Sequence, residues 1–175
     1  VDLRGFFQSE KYFSLVADMI REMFTFRPEI IDPARSLVES LNKAPVALHI
    51  RRGDFLRNSG NHHNLDLQCY ADALNKFNLD GRQVAIFSDD PEWCKKQELF
   101  EDDDTFLISE GNSHYVDMAM MSLCTGHIIA NSTFSWWGAW LANSQEVIAP
   151  KTWFGPDNAH LDTKDLYPDH WEVIE

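Results

Sequence analysis

Short apolar runs alternate with amphipathic segments along most of this chain. Such runs, bounded by polar or turn-forming residues, are typical of buried strands, and apolar residues at helical spacing lie between them. The predicted strands are Val46–Ile50, Val84–Phe87, Thr105–Ser109, His127–Ala130 and Glu146–Ala149. The predicted helices are Tyr12–Met23, one from Pro33, Leu67–Phe77, one from Pro91, His114–Cys124 and Phe134–Ala142. This alternation predicts an α/β protein with a Rossmann-like parallel sheet and helices on both faces.

The pattern also divides the chain. Residues 1–44 are predicted to be a helical lead-in segment, and residues 45–175 the Rossmann-like domain. Within the domain, Phe55–Leu65 is polar and rich in turn formers, so a loop is expected there. The tail Lys151–Glu175 is predicted to be irregular and to pack back over the domain through its tryptophans. A chain of 175 residues is long enough for one compact domain.

Composition narrows the possible partners and the compartment. The formal net charge is −13, which repels nucleic acid and anionic membrane surfaces, so neither is an expected partner. Three widely spaced cysteines, Cys69, Cys94 and Cys124, favour reduced thiols over a disulfide framework. No run of residues is long and apolar enough to span a bilayer. These features predict a cytoplasmic protein, with the inner face of a bacterial membrane as an alternative location.

The segment His49–Asp54 carries the strongest chemical signal. It places Arg51 and Arg52, followed by Gly53, directly after a predicted buried strand. Ligands of open α/β sheets bind beyond the carboxyl ends of strands. A buried guanidinium needs an anionic partner, and its planar fork suits phosphate or diphosphate. An anion site is therefore predicted here.

A second predicted anion-binding corner is Asn131–Ser135, which precedes a helix. Its hydroxyls and the free N–H groups of the first helical turn suit an anion, although ordinary helix capping by Ser or Thr gives the same pattern. The segments Ser88–Asp90 and Ser109–Gly111 also follow predicted strands, so all four can converge on one crevice. At least two of Trp136, Trp137 and Trp140 are expected in the core.

Asp117 has two interpretations. It lies on the predicted helix before the corner, where its carboxylate could accept paired N–H bonds from a guanine edge. A solvated acid near a helix N-terminus fits the sequence equally well.

The sequence supports a metal site or covalent catalysis less well than it supports an anion site. Asp102–Asp104 precedes a predicted strand, so it is expected at the sheet edge opposite the predicted crevice. It is interpreted as a run of solvated charges. Asp89 and Asp90 are either Mg²⁺ ligands or helix-capping residues, and His62 and His63 are expected to be exposed. The chain has no GxSxG, HExxH or P-loop sequence.

The chain resembles the α-1,2-fucosyltransferases of glycosyltransferase family 11. Four ordered motifs, spread over essentially the whole chain, carry the resemblance: Phe6–Phe13, His49–Asp54, Phe87–Cys94 and Asn131–Leu141. The family implies the C-terminal half of a GT-B-type enzyme that transfers fucose from GDP-fucose to the 2-hydroxyl of a terminal galactose, with inversion. It implies no cofactor and no obligatory metal.

The resemblance also implies roles for residues of the arginine segment. Arg51 would clamp the β-phosphate of GDP-fucose, and Arg52 would support the site. His49 would lie close to the nucleotide. Asp54 would hold the arginine loop or face the donor, and Asp54 and His49 are the local candidates for a general base.

The remaining donor contacts are implied in the second half of the domain. Asp117 would read guanine. The residues expected to border the diphosphate are Asn131, Ser132, Thr133 and Phe134.

One family feature is missing. Members begin with an N-terminal domain that carries a Gly-Gly-Leu-Gly-Asn-type motif, which this sequence lacks. The absent domain is expected to supply contacts to the galactose-terminated acceptor. Two other functions stay open: a nucleotide-sugar-binding module that does not catalyse, and a metal-dependent phosphohydrolase.

Overall fold

A computed structural model describes residues 9–41 and 44–175. Residues 1–8 and 42–43 of the predicted lead-in segment lie outside the described residues. The described strands form one parallel sheet of six in the order β3-β2-β1-β4-β5-β6. The strands are Val46–Ile50 (β1), Val84–Ser88 (β2), Phe106–Ile108 (β3), Gly126–Ile128 (β4), Glu146–Pro150 (β5) and Glu172–Ile174 (β6). The predicted parallel α/β architecture is confirmed.

Helices cover both faces of the sheet, as predicted. They are Ala17–Met23 (α1), Pro28–Glu39 (α2), Gly53–Arg57 (α3), Leu67–Lys76 (α4), Pro91–Cys94 (α5), His114–Leu123 (α6) and Thr133–Leu141 (α7). Short 3₁₀ turns lie at Glu10–Tyr12, Ser14–Val16, Glu98–Phe100 and Pro156–Asn158.

Alternate residues of the strands supply the cores of the two faces. Val46, Leu48 and Ile50 of β1 pack with Tyr70 and Leu74 of α4. On the other face Ala47 and Ala85 are small, which lets α6 approach the sheet closely, and Phe87 joins the same cluster. Ala47 and Ala85 pack there against Met121 of α6, and Ala34 of α2 joins the same cluster. All five residues of β1 are buried, as expected for a central parallel strand.

A tryptophan-rich cluster closes the sheet beside β5. Trp136 and Trp140 of α7 are each only 2% exposed, which confirms that at least two of the three tryptophans belong to the core. Trp153 and Trp171 of the tail are buried in the same cluster, so the tail packs back over the domain as predicted.

The tail is not wholly irregular, however. Its last residues form β6, which pairs in parallel with β5 and buries Ile174. Three residues are too few to show an alternating pattern, so this strand was absent from the sequence prediction. Likewise, the predicted loop at Phe55–Leu65 begins with the end of α3, which buries Phe55 against the domain.

The lead-in segment differs from its prediction in two ways. The helix predicted over Tyr12–Met23 is shortened to α1 and preceded by two 3₁₀ turns. Leu15 and Met19 of its predicted buried face are 100% and 58% exposed, whereas Ile20 of the same face packs, with Phe13, against the tryptophan-rich cluster.

The second helix starts five residues earlier than expected. It begins at Pro28 and continues through Pro33. Pro28 occupies the first turn, where a missing N–H is tolerated. Ile30 and Ile31 pack with Ala34 against the α6 side of the sheet, so tertiary packing extends the helix beyond what Pro33 alone predicts.

Candidate functional site

The strand order creates a position between β1 and β4 where α/β sheets commonly bind ligands. The chain builds β1, β2 and β3 outward in one direction and then returns to place β4 and β5 on the other side of β1. The crevice between the carboxyl ends of β1 and β4 is therefore a topological switch point, where such sheets bind ligands. The arginine segment follows β1, and the Asn131–Ser135 corner follows β4.

Arg51 lies at the mouth of this crevice between two carboxylates. Its Nη2 donates to Asp54 Oδ1 at 2.6 Å, and its Nη1 lies 3.2 Å from Asp89 Oδ2. Its guanidinium also lies 5.4 Å from the ring centre of Phe55. The side chain remains 30% exposed, and its buried Nε has no hydrogen-bond partner among the described residues. Arg51 is therefore oriented by the protein and still reachable by a ligand.

Arg52 is held more completely. Its Nε donates to Asp90 Oδ2 at 3.1 Å, and its guanidinium stacks on Trp93 at 3.9 Å from the ring centre. Asp90 also accepts from the Trp93 backbone N–H and so caps α5. With both its charge and its planar face engaged, Arg52 braces the β1 and β2 ends against each other.

Asp89 ties the loop backbone to the Arg51 side chain. Its Oδ1 accepts from the Arg52 backbone N–H at 2.9 Å, while its Oδ2 faces Arg51. The carboxylate lies against Gly53, where a Cβ would overlap it. The absence of a side chain on Gly53 thus provides the space for this carboxylate.

Asp89, Asp90 and Trp93 were not predicted to contact the arginines. The sequence suggested metal ligands or capping residues for the two aspartates, and capping is observed for Asp90. Nothing local distinguishes Trp93 from a core residue. Among residues 9–41 and 44–175, no three His, Cys, Asp or Glu side chains are grouped so as to hold a metal ion.

His49 lies beneath the crevice. It is 4% exposed, and its Nδ1 lies 2.9 Å from the Ser135 hydroxyl on the first turn of α7. Burial, reinforced by the Arg51 charge, lowers the pKa of His49 to about 3. A neutral imidazole with so low a pKa is a weak proton acceptor near neutral pH. The contact ties the end of β1 to the start of α7, and it was not predicted, although Ser135 belongs to the predicted corner.

The corner after β4 combines capping with an exposed first turn. Ser132 is the N-cap of α7, and its hydroxyl accepts from the Phe134 backbone N–H. Asn131 is buried, and its Nδ2 donates to the carbonyls of His63 and Trp153, both at 2.8 Å. Thr133 is exposed and Phe134 half-buried. The capping interpretation is therefore observed for Ser132, while Thr133 is free to face a ligand.

Asp117 lies beside the carboxyl end of β3, on the same edge of the sheet as the arginines. It lies in the first turn of α6, where its Oδ1 accepts from the Ser109 hydroxyl at 2.7 Å. Asn112 Nδ2 donates to the same hydroxyl at 3.1 Å. Burial raises the pKa of Asp117. Ser109 follows β3 and Arg51 follows β1, so two strand spacings of about 4.8 Å each separate these groups, on the side of β1 away from β4.

The expectation that His62 and His63 are exposed needs correction. His62 and His63 are half-buried, since His62 stacks on Phe55 at 4.0 Å between ring centres and forms a β-bridge to Phe154. Asp102–Asp104, in contrast, is exposed and precedes β3, at the sheet edge opposite the crevice, as predicted.

The chain was compared with known proteins. The family model described as glycosyl transferase family 11 matches residues 3–175. An α-1,2-colitosyltransferase of Escherichia coli is 40% identical over the whole chain, which covers 63% of that protein. The O-antigen biosynthesis glycosyltransferase WbnK of Escherichia coli is 33% identical to this chain. The matched region covers 94% of this chain and 59% of WbnK.

More distant similarities agree. A galactoside α-(1,2)-fucosyltransferase 1 of Leontocebus fuscicollis is 25% identical over 83% of the chain and 44% of its own length. Among solved structures, POFUT1 in complex with GDP superimposes on 71% of this chain and 47% of that chain, with a TM-score of 0.54 and 17% identity. A family 9 glycosyl transferase from Veillonella parvula covers 86% of this chain and 41% of that one, with a TM-score of 0.52 and 16% identity. These two structures share the fold.

Proposed function

The chain belongs to glycosyl transferase family 11, and we propose that it is the donor-binding part of an α-1,2-fucosyltransferase-type enzyme. The donor is GDP-fucose or another sugar, such as colitose, linked to GDP, and the acceptor is a galactose-terminated glycan. The observation that carries this proposal is the placement of Arg51 and the α7 N-terminus on the two sides of the switch point. The names of the relatives supply the sugars and the α-1,2 linkage.

The proposed chemistry is stabilisation of a leaving diphosphate. When the bond between fucose and GDP breaks, negative charge accumulates on the β-phosphate. Arg51 and the N–H groups at the start of α7 are held in place before the reaction, so they stabilise this charge without reorganising. Loss of one such donor typically raises the barrier by about 3–4 kcal/mol.

The same proposal gives His49 and Arg52 positioning roles. His49 is buried, with a pKa of about 3, and contacts Ser135, so it orders the α7 start rather than removing the acceptor proton. Arg52 is engaged by Asp90 and Trp93. His49 is therefore not the proposed general base. We propose that the general base and the contacts to the acceptor come from a further domain. The chain spans less than two thirds of the length of the curated relatives that it matches.

Guanine recognition is proposed for Asp117. Its half-buried carboxylate accepts one hydrogen bond from Ser109 and retains further lone pairs for the paired N–H groups of guanine. Adenine does not present that pair of donors.

Calorimetric titration with GDP and ADP tests the proposal. The protein should prefer GDP, and Asp117→Ala should abolish the preference while leaving ADP binding unchanged. Asp103→Ala, on the opposite sheet edge, is the matched control and should keep the preference. Equal affinity of the unmodified protein for the two nucleotides would refute guanine recognition.

A nucleotide-sugar-binding module without activity is the second candidate, because the chain spans only part of its relatives. Both candidates bind GDP, so binding does not separate them. Transfer of labelled fucose from GDP-fucose to a β-galactoside by this chain alone would exclude the module. Hydrolysis of a phosphate substrate that EDTA abolishes would instead favour the metal-dependent phosphohydrolase.

A further inference from the structure

Asp54 contacts Arg51 where a donor diphosphate would have to bind. Its Oδ1 lies 2.6 Å from Arg51 Nη2, and its side chain is 56% exposed. Within the part of the chain that the structure describes, Arg51 is its only hydrogen-bond or ion-pair partner. Asp54 is therefore attached to the site through a single exposed interaction.

The charge around the arginines makes this contact a competitor of the donor. Arg51 and Arg52 bring two positive charges, while Asp54, Asp89 and Asp90 bring three negative charges in direct contact with them. The empty cluster thus has a net charge of −1. A diphosphate adds further negative charge, and like charges so close together repel strongly.

Only one of the two carboxylates on Arg51 can leave easily. Asp89 is fixed by the Arg52 backbone N–H and by its contact with Gly53, and its side chain is 26% exposed. Asp54 lacks such anchors and lies on the five-residue helix α3. Its exposed carboxylate can rotate into water at little cost, because an exposed ion pair contributes little to stability.

We propose that Asp54 substitutes for the donor diphosphate in the empty site and is displaced from Arg51 when the donor binds. This inference rests on the proposed function, since it assumes a diphosphate ligand. Asp54 would keep Arg51 oriented before binding and would raise the cost of binding small anions. A donor that also contacts the α7 start and Asp117 offsets this cost, whereas inorganic phosphate does not. Asp54 therefore contributes selectivity for the complete donor.

Titration of GDP and inorganic diphosphate against Asp54→Asn tests the displacement. Asparagine has nearly the same shape without the charge, so both ligands should bind about threefold to tenfold more tightly than to the unmodified protein. Inorganic diphosphate should gain at least as much as GDP. A merely structural role for Asp54 would weaken binding, so a gain in affinity cannot arise from damage to the fold.

Two further variants complete the design. Asp32→Asn removes the same charge from an exposed aspartate that also pairs with an arginine three residues later, 3.6 Å from Arg35, and should leave both affinities unchanged. Asp54→Ala should tighten binding as Asp54→Asn does. Unchanged or weaker binding in both Asp54 variants would overturn the displacement, whereas failure of the unmodified protein to bind GDP would overturn the proposed function itself.

Discussion

The Asp89 carboxylate occupies the space that a side chain on Gly53 would need. A Cβ placed on Gly53 overlaps Asp89 Oδ2, the oxygen that faces Arg51. The other carboxylate oxygen accepts from the Arg52 backbone N–H. The glycine of the arginine segment and an aspartate 36 residues later therefore form one unit, and this unit determines where Arg51 lies.

This unit predicts that Gly53→Ala and Asp89→Ala have the same defect. Either change removes the Asp89 carboxylate from its two contacts, so GDP binding should weaken roughly tenfold, the usual scale for losing a hydrogen bond to a charged group. The double variant should be no worse than Asp89→Ala, because the overlap disappears with the carboxylate. Calorimetry of the three variants measures this, and additive losses would show that the two residues act separately.

Arg51→Lys should nearly abolish sugar transfer although it keeps the positive charge. Lysine cannot reproduce the planar fork that spans Asp54 and Asp89 and that we propose to bind the diphosphate. We expect kcat/KM to fall by roughly 10²-fold or more. Arg57→Lys, at the exposed last residue of α3, is the matched control and should be near normal. Near-normal transfer by Arg51→Lys would remove Arg51 from its proposed role.

The thiols should differ in reactivity. All three cysteines are free, as predicted; Cys94 and Cys124 are buried and Cys69 is half-buried. Burial raises the pKa of Cys69, and the nearby Asp66 and Asp72 raise it further. A thiol reagent should therefore label one thiol slowly in the native protein and three rapidly in denaturant. Cys69→Ser should remove the native reaction; fast labelling of a second thiol in the native state would contradict the burial.

Stability should fall in mild acid because of a buried histidine. His127 Nε2 donates to the Met121 carbonyl at 2.8 Å, because a carbonyl oxygen only accepts, so Nε2 carries the proton. Burial lowers the pKa of His127 from 6.5 to about 4. The unfolded chain binds this proton first, so stability is full above about pH 6.5 and is lost as the pH falls toward 4, by roughly 3 kcal/mol in total.

Denaturant unfolding at several pH values measures this effect. His127→Gln should show a shallower loss of stability between pH 6.5 and 4 than the unmodified protein. His160→Gln, which removes an exposed imidazole, is the matched control. Parallel curves for the unmodified protein and His127→Gln would refute the assignment.

Among the described residues, no helix is long and apolar enough to cross a bilayer. The lead-in segment nevertheless exposes Leu15, Met19 and Met23. The exposed apolar residues of the lead-in segment therefore do not belong to a helix that could cross a bilayer.

The sequence alone determined the alternation of strands and helices, the position of the arginines after β1 and the burial of the tryptophans. Each of these depends on residues close together in the chain, where periodicity and turn chemistry act directly. It could not show that Asp89 and Asp90 hold the two arginines, that Ser135 meets His49, or that the tail ends in β6. Arg52 and Asp89 are 37 residues apart, and His49 and Ser135 are 86 apart. Only the sheet order, which brings the ends of β1, β2 and β4 to one edge, makes these pairs neighbours.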